Sequence, residues 1–339
     1  MIQGVLAGDR RAVARAISMV EDGAPDLEAL SAGIYASTGR ASTVGLTGAP
    51  GVGKSTLATE LVRAEREVDR TVAVLAIDPT SPYTGGALLG DRVRMQEHAT
   101  DPGVFIRSMA TRGHLGGMAL AAPEAVRVLD AAGYDEVVVE TVGVGQAEVE
   151  VAAATDTAVV VLSPGAGDAV QMAKAGILEI ADVFVVNKAD KDGPGDVIRE
   201  LRQMLHLGAA RPWDPPIVRT SALRNEGIDE LRDAVAEHQA FLEASGALQD
   251  KRRTRLLREV ESLAAARFRL KAAVALTTDG ELADGLVARR IDPYRAAAML
   301  TDDTAAATLE ADSRLVEDLD ARRIDPYAAA DRLARGSPA

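Results

Sequence analysis

The feature that most constrains the fold is an alternation. Between residues 42 and 218 seven short apolar, mostly β-branched runs recur: STVGL (42–46), TVAVLAI (71–77), GVFI (103–106), EVVVE (136–140), TAVVVL (157–162), DVFVVN (182–187) and PIV (216–218). Stretches of helical periodicity separate them. Strands that are apolar throughout, rather than at every second position, belong to a parallel sheet covered on both faces. The reading is an α/β fold, with a doubly wound, mainly parallel sheet over residues 41–245.

The flanks have a different texture. In residues 1–40, Val5, Leu6, Val13, Ile17 and Val20 recur at helical spacing, broken near EDGAPD, which reads as an N-terminal helical extension. After residue 245 the strands stop. A long charged amphipathic helix follows, with Leu256, Leu257, Val260 and Leu263 along one side. The tail of this 246–339 arm contains a repeat: ARRIDPY at 288–294 returns at 321–327. We read a duplicated helix-plus-turn unit, with Asp-Pro starting each following helix. An arm with this much apolar surface points to a homodimer.

Composition removes several function classes. The formal net charge of −13 and 3% aromatic content argue against nucleic-acid backbone, base stacking and anionic membrane surfaces. No apolar run approaches the roughly 18 residues of a membrane span, and the mixed-charge N-terminus is no signal peptide. With 0 cysteines there are no thiolate metal sites, and His98, His114, His206 and His238 lie far apart. A cytoplasmic protein is expected.

GLTGAPGVGKST follows the first strand and opens a helix. Gly48, Gly53, Lys54 and Ser55 fit G-x-x-x-x-G-K-[ST], so Gly48, Ala49, Pro50, Gly51, Val52, Gly53, Lys54, Ser55 and Thr56 form a candidate phosphate cradle. The glycines let N–H groups turn inward, the helix start adds positive dipole, Lys54 reaches the terminal phosphates, and the Ser55 hydroxyl faces Mg²⁺. VVNKAD then ends a later strand with Asn187, Lys188 and Asp190. A carboxylate at Asp190 can accept from guanine N1–H and its 2-amino group, whereas adenine would leave it unpaired. Asn187 braces the loop, the Lys188 stem covers the ring, and TSAL, with Ser221, Ala222 and Leu223, supplies a backbone N–H from Ala222 for guanine O6. GTP and its product GDP are expected, with Mg²⁺.

These residues, together with VLAIDPTSPYTGGALLGDRVRM, FIRSMATRGHLGG, ETVGVGQAE, SPGAGDAVQMAKAGILEIADVFVVNKAD and WDPPIVRTSALRNEGIDEL, resemble the MeaB/ArgK-type G proteins. Members of that family are chaperones of cobalamin-dependent acyl-CoA mutases such as methylmalonyl-CoA mutase. The resemblance covers residues 1 to about 280. It implies a P-loop GTPase domain, a cobalamin-dependent acyl-CoA mutase as partner, and a cobalamin adenosyltransferase as a further one. It also carries Asp78 and Asp91 to the Mg²⁺ and γ-phosphate, mostly through water. The stretch from Thr80 to Met95 resembles the first switch, and Arg94, Gln146 and Lys174 fall in segments that sense the partner.

VVVETVGVGQ shows a departure from small G proteins. The D-x-x-G spacing survives as Glu140 to Gly143, but the acid is one methylene longer. Glu140 is expected in the metal's water shell and the Gly143 N–H on the γ-phosphate. Gln146 lies three residues past Gly143 rather than directly after it, so slow intrinsic hydrolysis, stimulated by the partner, is expected. The family pattern also ends with one PY-A-A segment, and this chain has two. The competing reading is a kinase associated with arginine and ornithine transport, a label some relatives carry.

Overall fold

The computed structural model describes residues 1–78, 96–98, 100–110, 118–141, 151, 153–165, 177–208, 211–278, 280–290, 292, 295, 300 and 313–335. In chain order the helices are α1 (Ile2–Leu6), α2 (Arg10–Asp22), α3 (Leu27–Ile34), α4 (Lys54–Glu67), α5 (Met118–Ala131), α6 (Ile177–Ile180), α7 (Pro194–Leu207) and α8 (Ile228–Ser245). The arm contributes α9 (Ala247–Thr278), α10 (Gly280–Val287), α11 (Ser313–Asp320) and α12 (Pro326–Arg335). The strands are β1 (Ser42–Thr47), β2 (Val72–Asp78), β3 (Val104–Ala110), β4 (Glu136–Thr141), β5 (Thr157–Leu162), β6 (Val183–Val186) and β7 (Ile217–Arg219).

All seven expected runs are strands of one parallel sheet, ordered β3-β2-β4-β1-β5-β6-β7. The predicted GVFI strand runs on to Ala110, because it pairs with β2 along its whole length, from Val72↔Val104 to Asp78↔Ala110. The pleat sends alternate side chains to opposite faces. Ala73, Leu75, Val137 and Val139 pack against α2, α3 and α5 through Val13, Ile17, Ile34 and Leu129. On the other face Val44, Leu46, Val138 and Val161 meet Leu57 and Leu61 of α4 and Leu231 and Val235 of α8. Burying each such side chain contributes about 1.5–3 kcal/mol, which is why every residue of β4, β5 and β6 is buried.

The N-terminal helices therefore share the core with α5. Asp9 caps α2 by accepting the Arg11 and Ala12 amides at 2.8 Å, and Gly23, with φ +57°, ends it in the left-handed conformation at the EDG break. At the far side α9 is tied to the amino-terminal end of the sheet. Arg252 and Arg255 grip Asp156 at 2.6 and 2.7 Å, and Lys251 pairs with Asp182 at 2.9 Å. Burial opposes the Asp156 charge, but the two guanidiniums outweigh it and hold its carboxyl at about 2. Lower on α9, Glu259 meets the buried Arg127 of α5 at 2.5 Å, and Arg127 also pairs with Glu124.

Candidate functional site

β1 lies inside the sheet, between β4 and β5, and the loop 48–53 leaves its carboxyl end to enter α4. Crevices at strand carboxyl ends, where connections depart to opposite sides, are where open α/β sheets bind ligands. Two glycines are required by contact. A Cβ on Gly48, φ +143°, would stand 2.2 Å from the Val161 carbonyl oxygen. One on Gly53, φ +97°, would stand 2.5 Å from Asn187 Nδ2. Lys54 is buried and donates through Nζ to the carbonyls of Gly48 at 2.6 Å and Ala49 at 3.1 Å, so its ammonium sits inside the loop. Val52 anchors the loop in the core, Pro50 and Gly51 are exposed at its tip, and Thr56 is half-buried in the first turn of α4.

Glu140 stands at the carboxyl end of β4, 1% exposed, and accepts a hydrogen bond from the Ser55 hydroxyl at 2.6 Å. Asp78 is the last residue of β2, and Ala76 and Ile77 pair with Glu140 and Thr141. The backbone thus delivers Asp78 to the same end of the sheet. A serine hydroxyl beside a carboxylate is a hard oxygen donor set that fits Mg²⁺, a small cation that keeps several waters. Ser55 and Glu140 would hold it, directly or through water, and the ion would neutralise charge building up on the phosphates. Asp91, Arg94, Gly143, Gln146 and Lys174 lie outside the described residues.

The other half of the site comes from the end of β6. Asn187, 2% exposed, donates through Nδ2 to the Val52 carbonyl at 2.9 Å and accepts from Thr220 Oγ1 and the Ala222 amide, both at 3.1 Å. Lys188, φ +57°, donates through Nζ to the Gly51 carbonyl, which lays its stem across the mouth of the loop. Asp190 accepts from the Ser221 hydroxyl at 2.7 Å, and this bond and its own amide hold the carboxyl below the usual range. Asp190 is half-buried, and Leu223 is exposed. The Ala222 amide is donated to Asn187 because a buried carboxamide oxygen must be satisfied, so a base oxygen there has to share that amide. Sequence reasoning also missed Thr220 as a brace, though its place directly before Ser221–Ala222 was a signal.

The family model described as "Methylmalonyl Co-A mutase-associated GTPase MeaB" matches residues 13–276. A Pyrococcus abyssi protein is 49% identical over 306 residues, 88% of this chain and 94% of its own. The GTPase ArgK of Escherichia coli is 39% identical, covering 74% of this chain and 78% of its own. The mitochondrial methylmalonic aciduria type A homolog of Caenorhabditis elegans is 37% identical, covering 76% and 69%. A crystal structure described as an "LAO/AO transport system kinase" superposes with a TM-score of 0.66 at 28% identity, over 88% of this chain and 94% of that one. The carboxyl end of a parallel sheet that joins a phosphate loop, a buried acid and an N-K-x-D turn, in a chain matched over most of its length, places this protein in the MeaB family of P-loop GTPases.

Proposed function

We propose that this chain binds GTP with Mg²⁺ and hydrolyses it slowly, and that the bound nucleotide gates cofactor loading of a cobalamin-dependent acyl-CoA mutase and protects or reactivates that enzyme. Residues 41–245 form the nucleotide-binding unit in this reading, with 1–40 and 246–339 as helical additions on a cytoplasmic homodimer. The observation that supports it best is the Ser55–Glu140 hydrogen bond. It ties the first turn of α4 to the strand that leads directly into residues 142–150, the stretch resembling a switch. A nucleotide that recruits Ser55 to its metal therefore changes the company of Glu140, and the change has a covalent path into the switch. The work of hydrolysis falls to positioning and charge, from loop amides, Lys54 and the metal. Asp190 selects guanine, and the mutase partner supplies stimulation.

The test is affinity capture from the native host with tagged protein, with GDP or a non-hydrolysable GTP analogue. Nucleotide-dependent recovery of a cobalamin enzyme is expected, together with faster GTP turnover when that enzyme is added back. Recovery of a transport component alone, with phosphate passed from labelled GTP to it, would favour the kinase reading, the role in which the superposed crystal structure is described.

A further inference from the structure

The amino-terminal end of the sheet, opposite the phosphate loop, has a cavity of its own. It measures about 100 Å³ and lies where residues 35–41, α5 and α9 meet beside the starts of β1 and β5. Four guanidiniums line it, from Arg127 of α5, Arg252 and Arg255 of α9, and Arg322 just past α11. The carboxylates of Asp130, Asp156 and Glu259 line it as well. Between these charges the wall is apolar, with Val126, Ala154 and Leu256.

Every carboxylate oxygen in this lining already accepts a hydrogen bond. Asp130 takes the amides of Gly39, Arg40 and Ala41, the last two at 3.1 and 2.9 Å. One oxygen of Asp156 accepts from Arg252 at 2.6 Å and the other from Arg255 at 2.7 Å. Both oxygens of Glu259 accept from Arg127, at 2.5 and 2.7 Å. Glu124, the other partner of Arg127, does not line the cavity. The donors are not all used. Arg127 Nε is buried with no partner. Arg322 pairs with no carboxylate among the described residues. It reaches across to the core, because a Cβ on Gly39, φ +88°, would run into its guanidinium. A buried N–H without an acceptor calls for one, and this lining has none to spare.

We propose that this cavity binds a short-chain organic carboxylate, its charged end on Arg127 and Arg322 and its carbon chain against Val126, Ala154 and Leu256. Size bounds the ligand. One water needs roughly 10–15 Å³, and benzene fits a buried cavity of about 150 Å³. The space here takes a molecule of a few heavy atoms, larger than water and smaller than an aromatic ring. Donor chemistry sets its charge, since guanidinium N–H groups match the lone pairs of a carboxylate. The apolar wall suits a hydrocarbon stub rather than a bare inorganic ion. Arg127 belongs to the core and Arg322 to the arm, so the bound acid fastens one to the other. The proposal stands apart from the mutase reading and needs no nucleotide.

The probe is propionate, added to the full-length chain at constant ionic strength. The melting temperature should rise saturably with propionate, as it does for any ligand that prefers the folded state. Propionamide, the neutral counterpart, and inorganic phosphate should give no such rise. Arg322→Gln removes a charge at an exposed position. It should raise the half-saturating propionate concentration about tenfold, the effect of losing one hydrogen bond to a charged group. Leu256→Trp fills the cavity and should abolish the response. Unchanged guanine-nucleotide binding and helical circular dichroism would show that both variants fold. No saturable rise in wild type, an equal rise with propionamide or phosphate, or a wild-type response in Arg322→Gln would overturn the proposal.

Discussion

The Ser55 hydroxyl and the Glu140 carboxylate, 85 residues apart in sequence, meet across 2.6 Å at the carboxyl ends of β1 and β4. Glu140→Ala should leave GDP affinity within about threefold, because the loop amides and Lys54 are untouched, and should lower GTP turnover by about 10²-fold, the range seen when one charge-stabilising group is removed. Fluorescent-nucleotide titration with and without Mg²⁺, alongside phosphate release, reads both quantities. Turnover equal to wild type would remove Glu140 from the mechanism.

Asp190→Asn replaces an acceptor-only group with one that presents a donor towards the guanine N1–H and 2-amino group. GTP affinity should fall by about 10²- to 10⁴-fold without a matching gain for ATP, since a site built on hydrogen bonds rejects the mismatched partner strongly. The Ser221 hydroxyl keeps Asp190 ionised below the usual carboxylate range. The wild-type affinity should therefore show no Asp190 titration between neutral pH and the ordinary carboxylate region. Competition titration with GTP, xanthosine triphosphate and ATP measures the selectivity.

Glu136, at the opposite end of β4 from the phosphate loop, is 1% exposed. Burial and the neighbouring Glu65 push it up from 4.5 to about 7, against the pull of Arg70. The folded chain thus keeps a proton that the unfolded chain has already lost within that window. Unfolding releases it, so this group's contribution to stability falls as pH rises from the ordinary carboxylate value to about 7. At about 1.4 kcal/mol per unit the difference amounts to roughly 3 kcal/mol. Glu136→Gln removes the titration, so its urea midpoint should gain on wild type between pH 5 and pH 8. Parallel pH profiles would show that Glu136 does not titrate there.

Arg127 lies between Glu124 of α5 and Glu259 of α9, both buried. Arg127→Met should destabilise the fold by about 3–5 kcal/mol, because it strands carboxylates away from water. Replacing the three together with apolar residues should recover most of that loss. Chemical denaturation of the single and triple variants decides between an ionic tie and simple packing.

The elements legible from sequence were those whose physics is local. A strand buried on both faces must be apolar throughout, so all seven runs from STVGL to PIV could be read without a partner strand in view. The turn at 48–53 needs glycine where the backbone passes within van der Waals distance of β5 and Asn187, and glycine is visible in any sequence. Asn187 and Asp190 were legible because an N-K-x-D turn at a strand end carries its meaning in four consecutive residues. The charges of α9 were not legible in this way. Arg252 and Arg255 look like a solvated helix face until the fold brings Asp156, almost a hundred residues distant, beneath them.

Spacing along the chain thus decided strand, turn and cradle, since each depends on residues within a few positions of one another. The fold alone decided that Ser55 meets Glu140, that the Ala222 amide donates to Asn187, and that the second copy of the repeated unit lies against α9. Those pairings join residues far apart in sequence. They depend on strand order and helix docking, which the whole core sets and no short stretch contains.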